Sequence, residues 1–149
     1  MRRLQRVQVE ARSSAPPAAV YALLRAGATW PEWSPIGSFT LERPGKSEPE
    51  GVGAIRVFRT GRITSREEIV ELVPDRRLSY VLLSGLAIRN YRADVDLIPT
   101  DDGTLIRWRS SFTAVVPGTG GIYRRTLTRF IQECATGLAA RAAETTPSR

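Results

Sequence analysis

The stretch I-R-N-Y-R-A-D-V-D-L-I-P-T-D-D-G-T-L-I-R-W-R-S-S-F-T, Ile88 to Thr113, decides how this chain folds. From Ile88 to Ile98 the side chains alternate: Tyr91, Ala93, Val95 and Leu97 fall on one face, Asn90, Arg92, Asp94 and Asp96 on the other. A period of two over that length marks an extended strand with a dry face and a wet face. Pro99-Thr100-Asp101-Asp102-Gly103 reads as a hairpin loop. Thr104 to Thr113 then repeats the pattern, with Ile106, Trp108 and Phe112 opposite Arg107, Arg109 and Ser111. Such hairpins imply an antiparallel sheet whose dry face must be covered by another element.

Working back toward the N-terminus, Arg77 to Leu83, the long and mixed Ile63 to Val73, Gly53 to Arg59 and Phe39 to Glu42 read as further strands. Pro74-Asp75, Thr60-Gly61 and the polar run from Arg43 to Gly51 supply the turns between them. Leu4 to Arg12 alternates as a first strand. Ser13-Ser14-Ala15-Pro16-Pro17 ends it and opens a short helix, with Ser14 as N-cap. Ala19, Val20, Leu23 and Leu24 give that helix an apolar face, and Gly27 stops it. Pro31 to Ser34 has room for one helical turn.

Toward the C-terminus, Pro117 to Gly121 is followed by a helix to about Ala143. Tyr123, Leu127, Phe130, Ile131, Cys134 and Leu138 form one apolar stripe along it. That stripe is the natural cover for the sheet. Gly137, poor for helix stability, suggests close approach of the helix to the sheet. The predicted class is therefore α+β: a strand, a short helical region, about six antiparallel strands and a long C-terminal helix, in one domain over 1–149 with a frayed tail from about 145.

Composition narrows the chemistry. The chain has no histidine and one cysteine, Cys134, which excludes an internal disulfide and the histidine-dependent triads and makes a zinc or iron centre of the usual kind an unfitting expectation. Neither phosphate-binding glycine motif is present at Gly118, Gly120 and Gly121. No metal and no cofactor is expected. The net charge is +7, from 22 basic and 15 acidic residues, and Lys46 is the only lysine. The arginines, among them Arg56, Arg59, Arg62, Arg66, Arg76, Arg77, Arg89 and Arg92, are spread along the chain, which suggests a solvated basic surface. No apolar run is long enough to cross a membrane and the N-terminus lacks a signal-peptide core, so a cytoplasmic protein without integral membrane association is expected.

In order and spacing, A-P-P-A-A-V-Y-A-L-L (15–24), W-P-E-W-S-P (30–35), G-V-G (51–53), E-L-V-P-D-R-R-L-S-Y (71–80), D-G-T-L-I-R-W (102–108) and the amphipathic C-terminal helix resemble the START-like, helix-grip superfamily. The resemblance is to its polyketide cyclase/dehydrase and lipid-transport branch, and it covers nearly the whole chain. It implies a curved antiparallel sheet wrapped around the C-terminal helix, two short helices after the first strand, and an elongated apolar cavity between sheet and helix.

The candidate cavity residues are Trp30, Trp33, Phe39, Arg89, Tyr91, Trp108, Ser110, Phe112, Tyr123, Leu127, Phe130 and Ile131. Arg89 and Ser110 enter on dry-face parity, Arg89 as a group inside or at the mouth that meets a carboxylate. One ring of the Trp30–Trp33 pair is expected on the core and the other at the cavity edge, with Glu32 outward. Tyr80, Tyr91 and Tyr123 are candidate phenolic donors. Glu67, Glu68 and Glu71 are candidate acids, and the poor alternation of their strand leaves open which faces inward. Cys134 reads as a buried small apolar residue.

The expected function is binding of a hydrophobic small molecule, such as a lipid, an aromatic metabolite or a polyketide-like compound. The alternative is a polyketide cyclase or aromatase that positions its substrate and moves protons with Tyr or Glu. Nucleic-acid binding is not expected, because the aromatics fall on the dry face. The expected assembly is a monomer or weak homodimer.

Overall fold

A computed structural model describes residues 3–145. Strand β1 (Gln5–Ser13) leads into helix α1 (Pro17–Arg25), a 3-10 turn at Gly27–Thr29 and the single turn α2 (Trp30–Trp33). Six strands follow: β2 (Ser38–Arg43), β3 (Ile55–Thr60), β4 (Ile63–Val73), β5 (Arg77–Ser84), β6 (Ile88–Thr100) and β7 (Gly103–Ala114). Helix α3 (Gly120–Thr145) closes the chain. The sheet order is β1-β7-β6-β5-β4-β3-β2, antiparallel at every pair. Consecutive strands are neighbours except β1, which returns beside β7.

The alternation of β6 and β7 persists in three dimensions. Val95 lies opposite Trp108 and Leu97 opposite Ile106, all buried. On the wet face Arg109 and Arg77 share Asp96 at 2.7 and 2.6 Å, and Arg107 reaches Glu10 at 2.8 Å. The hairpin is tighter than Pro99–Gly103 suggested: the strands pair through Thr100–Gly103, leaving Asp101 and Asp102 as the turn.

Helix α3 lies chiefly along β1, with contacts to β7, α1 and α2. From Ile131 onward it buries Ile131, Cys134, Ala135, Leu138, Ala139 and Ala142, where small side chains permit close packing. Gly137 serves such an approach, but the neighbour differs from the one expected. A Cβ there would sit on the Trp33 carbonyl oxygen of α2, not on the sheet. Gly137→Ala should therefore destabilise the protein despite the better helix propensity of alanine, by about 2 kcal/mol net. A fall in melting temperature of roughly 5 °C is expected; an unchanged or higher value would contradict the contact.

The start of α1 also departs from expectation. Pro16 is the N-cap residue, without a side-chain cap, and Pro17 occupies the first turn. Ser13, not Ser14, is the organising hydroxyl: Oγ donates to the Ala139 carbonyl at 2.7 Å and accepts from the Ala15 N–H at 3.2 Å. It ties the end of β1 to α3. Of the tail expected to fray from about 145, residues 146–149 lie outside the described residues.

Candidate functional site

Because α3 packs on the β1 side, its N-terminal half stands off from β3 to β6, and a cavity of about 560 Å³ remains between them. Tyr123, Leu127, Phe130 and Ile131 of α3 form one wall. Phe58 of β3, Tyr80 and Leu82 of β5, Tyr91 of β6 and Trp108 of β7 form the opposite wall, and Trp30 closes the inner end. The open end is framed by Thr60 and Ile63 at the β3–β4 turn, Gly85 to Ala87 between β5 and β6, and Ile122 and Thr126 on α3.

The tryptophan segment is built as a clasp. Trp30 lines the cavity, stacks on Phe58 with centroids 4.7 Å apart and meets Trp108 edge-on at 5.8 Å. Its indole N–H donates to the Leu24 carbonyl at 3.1 Å. Trp33, 4.7 Å from Trp30 between centroids, turns instead into the core, and its N–H donates to Thr29 Oγ1 at 3.1 Å. Glu32 points outward to Arg141 at 2.7 Å.

The inner wall carries the polar groups. On β4, Ile63, Ser65 and Glu67 face the cavity. A bulge between Ile69 and Glu71 then reverses the parity, so Glu71 faces out to Arg77 and Arg92, at 3.5 and 3.1 Å. Glu68 also faces away from the cavity, toward Arg43 at 3.7 Å. Only Glu67 of the three candidate acids lines the space. Its Oε1 is shielded from solvent and has no hydrogen-bond partner. Burial raises its pKa from the ordinary 4.5 to about 7, with Arg56 pulling it back down.

Arg56 lies opposite Glu67 across the β3–β4 pair and is fully buried, a correction to the solvated role read from the sequence. Nη1 donates to the Leu24 carbonyl at 3.0 Å, to that of Arg25 at 3.4 Å and to Glu50 Oε1 at 3.3 Å, which closes the C-terminal end of α1. The guanidinium carbon is 5.2 Å from the ring centroids of both Trp30 and Phe58. Its Nε and Nη2 have no partner. Burial lowers the Arg56 pKa, opposed by Glu67 and Glu50.

Beside this pair, the Tyr80 hydroxyl accepts from Trp108 Nε1 at 3.3 Å, and the Tyr80 and Tyr91 rings are 6.1 Å apart. Burial holds both phenols protonated. Ser110 lies close enough to Tyr91 to ease that shift, although its Oγ makes no well-aligned hydrogen bond. Cys134 is buried behind the wall, and burial raises its thiol pKa too.

Seven of the twelve candidate residues line the cavity: Trp30, Tyr91, Trp108, Tyr123, Leu127, Phe130 and Ile131. Trp33, Phe39, Ser110 and Phe112 are packed behind the wall. Phe39 sits under the 3-10 turn against Phe58 at 5.5 Å, and Phe112 lies behind Tyr91 at 6.1 Å. Arg89 is exposed. A bulge between Arg89 and Arg92, with Asn90 at φ 55°, breaks the parity that assigned Arg89 to the face of Tyr91.

Sequence reasoning missed Arg56, Phe58, Leu82 and the apolar rim, and left Glu67 unassigned. For Arg56 and Glu67 a signal existed. The turn at Gly61–Arg62 sets Thr60 opposite Ile63, and counting back along both strands brings Arg56 opposite Glu67.

A sheet that grips a C-terminal helix over an apolar cavity defines a START-like, helix-grip protein, and solved structures share this fold over nearly the whole chain. A START superfamily protein from Mycobacterium smegmatis superposes with TM-score 0.80 at 13% identity, covering 95% of this chain and 99% of that one. Norcoclaurine synthase from Thalictrum flavum, solved with dopamine and hydroxybenzaldehyde, gives 0.74 at 12% identity, covering 99% and 91%. The di-domain ARO/CYC StfQ of the steffimycin biosynthetic pathway gives 0.74 at 18% identity, covering 95% of this chain and 51% of that one. At these identities the likeness is one of fold. No curated protein matches the sequence. The chain belongs to the family described as polyketide cyclase / dehydrase and lipid transport, which it matches over residues 5–143. No helix among the described residues is long and apolar enough to cross a membrane.

Proposed function

We propose that the protein binds a hydrophobic small molecule, a lipid, aromatic metabolite or polyketide-like compound, between the sheet and α3. One observation carries this reading: the dry face of β3 to β6 and the N-terminal half of α3 are not packed together but bound an open space of about 560 Å³. Apolar side chains dominate its walls, so a ligand gains mainly by removing its own apolar surface from water. Glu67 and the tyrosines on one wall then orient any hydroxyl or carbonyl it carries. Family membership supports the same reading. The protein acts as a monomer or weak homodimer. Native mass spectrometry after incubation with a total lipid and metabolite extract should show one lipophilic molecule per chain. Retention of polar metabolites alone, or of nothing, would contradict it.

A second reading, cyclase-type catalysis, is favoured by the placing of Glu67 and two protonated phenols on one wall. A carboxyl near pKa 7 can take a proton from an activated methylene and return it to a carbonyl oxygen, while a phenol steadies the developing oxyanion. Under this reading Glu67→Gln keeps ligand affinity within a few-fold and abolishes turnover. Turnover retained in that variant would remove Glu67 from the chemistry.

A further inference from the structure

Part of the basic charge that looks dispersed in the sequence lies on segments that frame the open end of the cavity. The rim residues Thr60, Ile63, Gly85 to Ala87, Ile122 and Thr126 lie in three segments, 59–66, 83–92 and 116–130. These segments meet in space. Ser84 pairs with Arg66, Gly85 packs on the backbone of Thr64 and Ser65, and the Val115 N–H donates to the Ala87 carbonyl at 3.0 Å. Together they hold eight of the chain's 22 basic residues and none of its 15 acidic ones. The remainder, with fourteen basic and fifteen acidic residues, is close to neutral, so these three segments carry the excess of positive charge.

Arg66 and Arg92 are paired with acids, Arg66 with Glu42 and Arg92 with Glu71 and Asp94. The other six, Arg59, Arg62, Arg89, Arg124, Arg125 and Arg129, are exposed and form no ion pair among the described residues. Aliphatic side chains stand exposed on the same segments, Ile122 at 68% and Ile63 at 44% at the mouth itself, Val116 at 51% and Leu83 at 42% elsewhere on them. A soluble polyanion would compensate the arginines but leave these side chains in water. An anionic bilayer satisfies both, with arginine at the headgroups and aliphatic tips in the acyl boundary.

We propose that the cavity mouth is a docking surface for an anionic phospholipid bilayer. Docked this way, the protein sets its mouth against the membrane, and an apolar ligand passes between bilayer and cavity without crossing bulk water. The inference goes beyond ligand binding and does not depend on it.

The test is co-sedimentation with vesicles of phosphatidylcholine alone or with about 30% phosphatidylglycerol, the anionic content that gives a strong surface potential. Expected is binding to the anionic vesicles only, weakened about tenfold or more by high salt. Arg62→Glu with Arg125→Glu, and separately Ile63→Ser with Ile122→Ser, should each weaken it by about tenfold or more. Arg12→Glu with Arg76→Glu, an equal charge change on exposed residues at the opposite end of the sheet, should leave it within about twofold. Equal binding to neutral vesicles, equal loss in the opposite-end variant, or no loss in the isoleucine variant would overturn the proposal. So would binding to a short DNA duplex without binding to vesicles. None of these results would touch the cavity's ligand binding.

Discussion

Arg56→Met should destabilise the protein by about 3–5 kcal/mol at pH 8, the usual consequence of removing one partner of a buried charge pair. The arginine closes the end of α1 through the Leu24 and Arg25 carbonyls, fills space against Trp30 and Phe58, and is the one charge that lowers the Glu67 pKa. Methionine keeps some of the packing and none of the rest. Adding Glu67→Leu should recover a large part of the loss, because the stranded carboxylate disappears with it. The single variant should also lose less at pH 5.5, where Glu67 is protonated. Urea unfolding of the wild type, both single variants and the double variant measures the coupling. Additive losses would mean that Arg56 and Glu67 do not interact energetically.

Glu67→Gln should stabilise the protein above pH 7, by up to about 3 kcal/mol at pH 8. In the folded protein Glu67 holds its proton to about pH 7, whereas in the unfolded chain it ionises near 4.5. Between those values the folded state binds a proton that the unfolded state has released. The raised carboxyl therefore costs nothing below pH 4.5, and its cost grows as pH rises to about 7, where it becomes constant. The difference between wild type and variant isolates this group from Glu42 and Asp94, whose carboxyl pKa values are lowered instead. A difference that stays flat from pH 4.5 to 8 would place Glu67 in water.

How far the sequence reached depended on whether strands stayed regular. The β6–β7 alternation predicted the wet and dry faces because most of that ladder is unbroken, and the helix stripe located the cover. Arg89 was misassigned because one extra residue beside Asn90 reverses the parity of the strand start. The irregularity in β4 has the same origin: its bulge turns Glu71 out while Glu67 stays in. A lone residue insertion has no hydrophobic signature, so periodicity cannot find it. The stripe of α3 was read as one surface, yet its two halves differ. Cys134 and Leu138 pack on their neighbours, whereas Tyr123 and Leu127 face open space. Only the placement of the helix along β1 separates them. The arginine-rich rim is likewise a product of topology, since three turns distant in sequence meet there.

The central claim is an open cavity that takes up an apolar molecule, and titration with the neutral dye N-phenyl-1-naphthylamine tests it most directly. Trp30 and Trp108 lie in the cavity wall, so bound dye should quench their emission as its own rises, saturating at about one dye per chain. Leu127→Trp, which fills the space from α3, should weaken binding by about tenfold or more. Absence of saturable binding, or the same affinity in Leu127→Trp, would contradict the account.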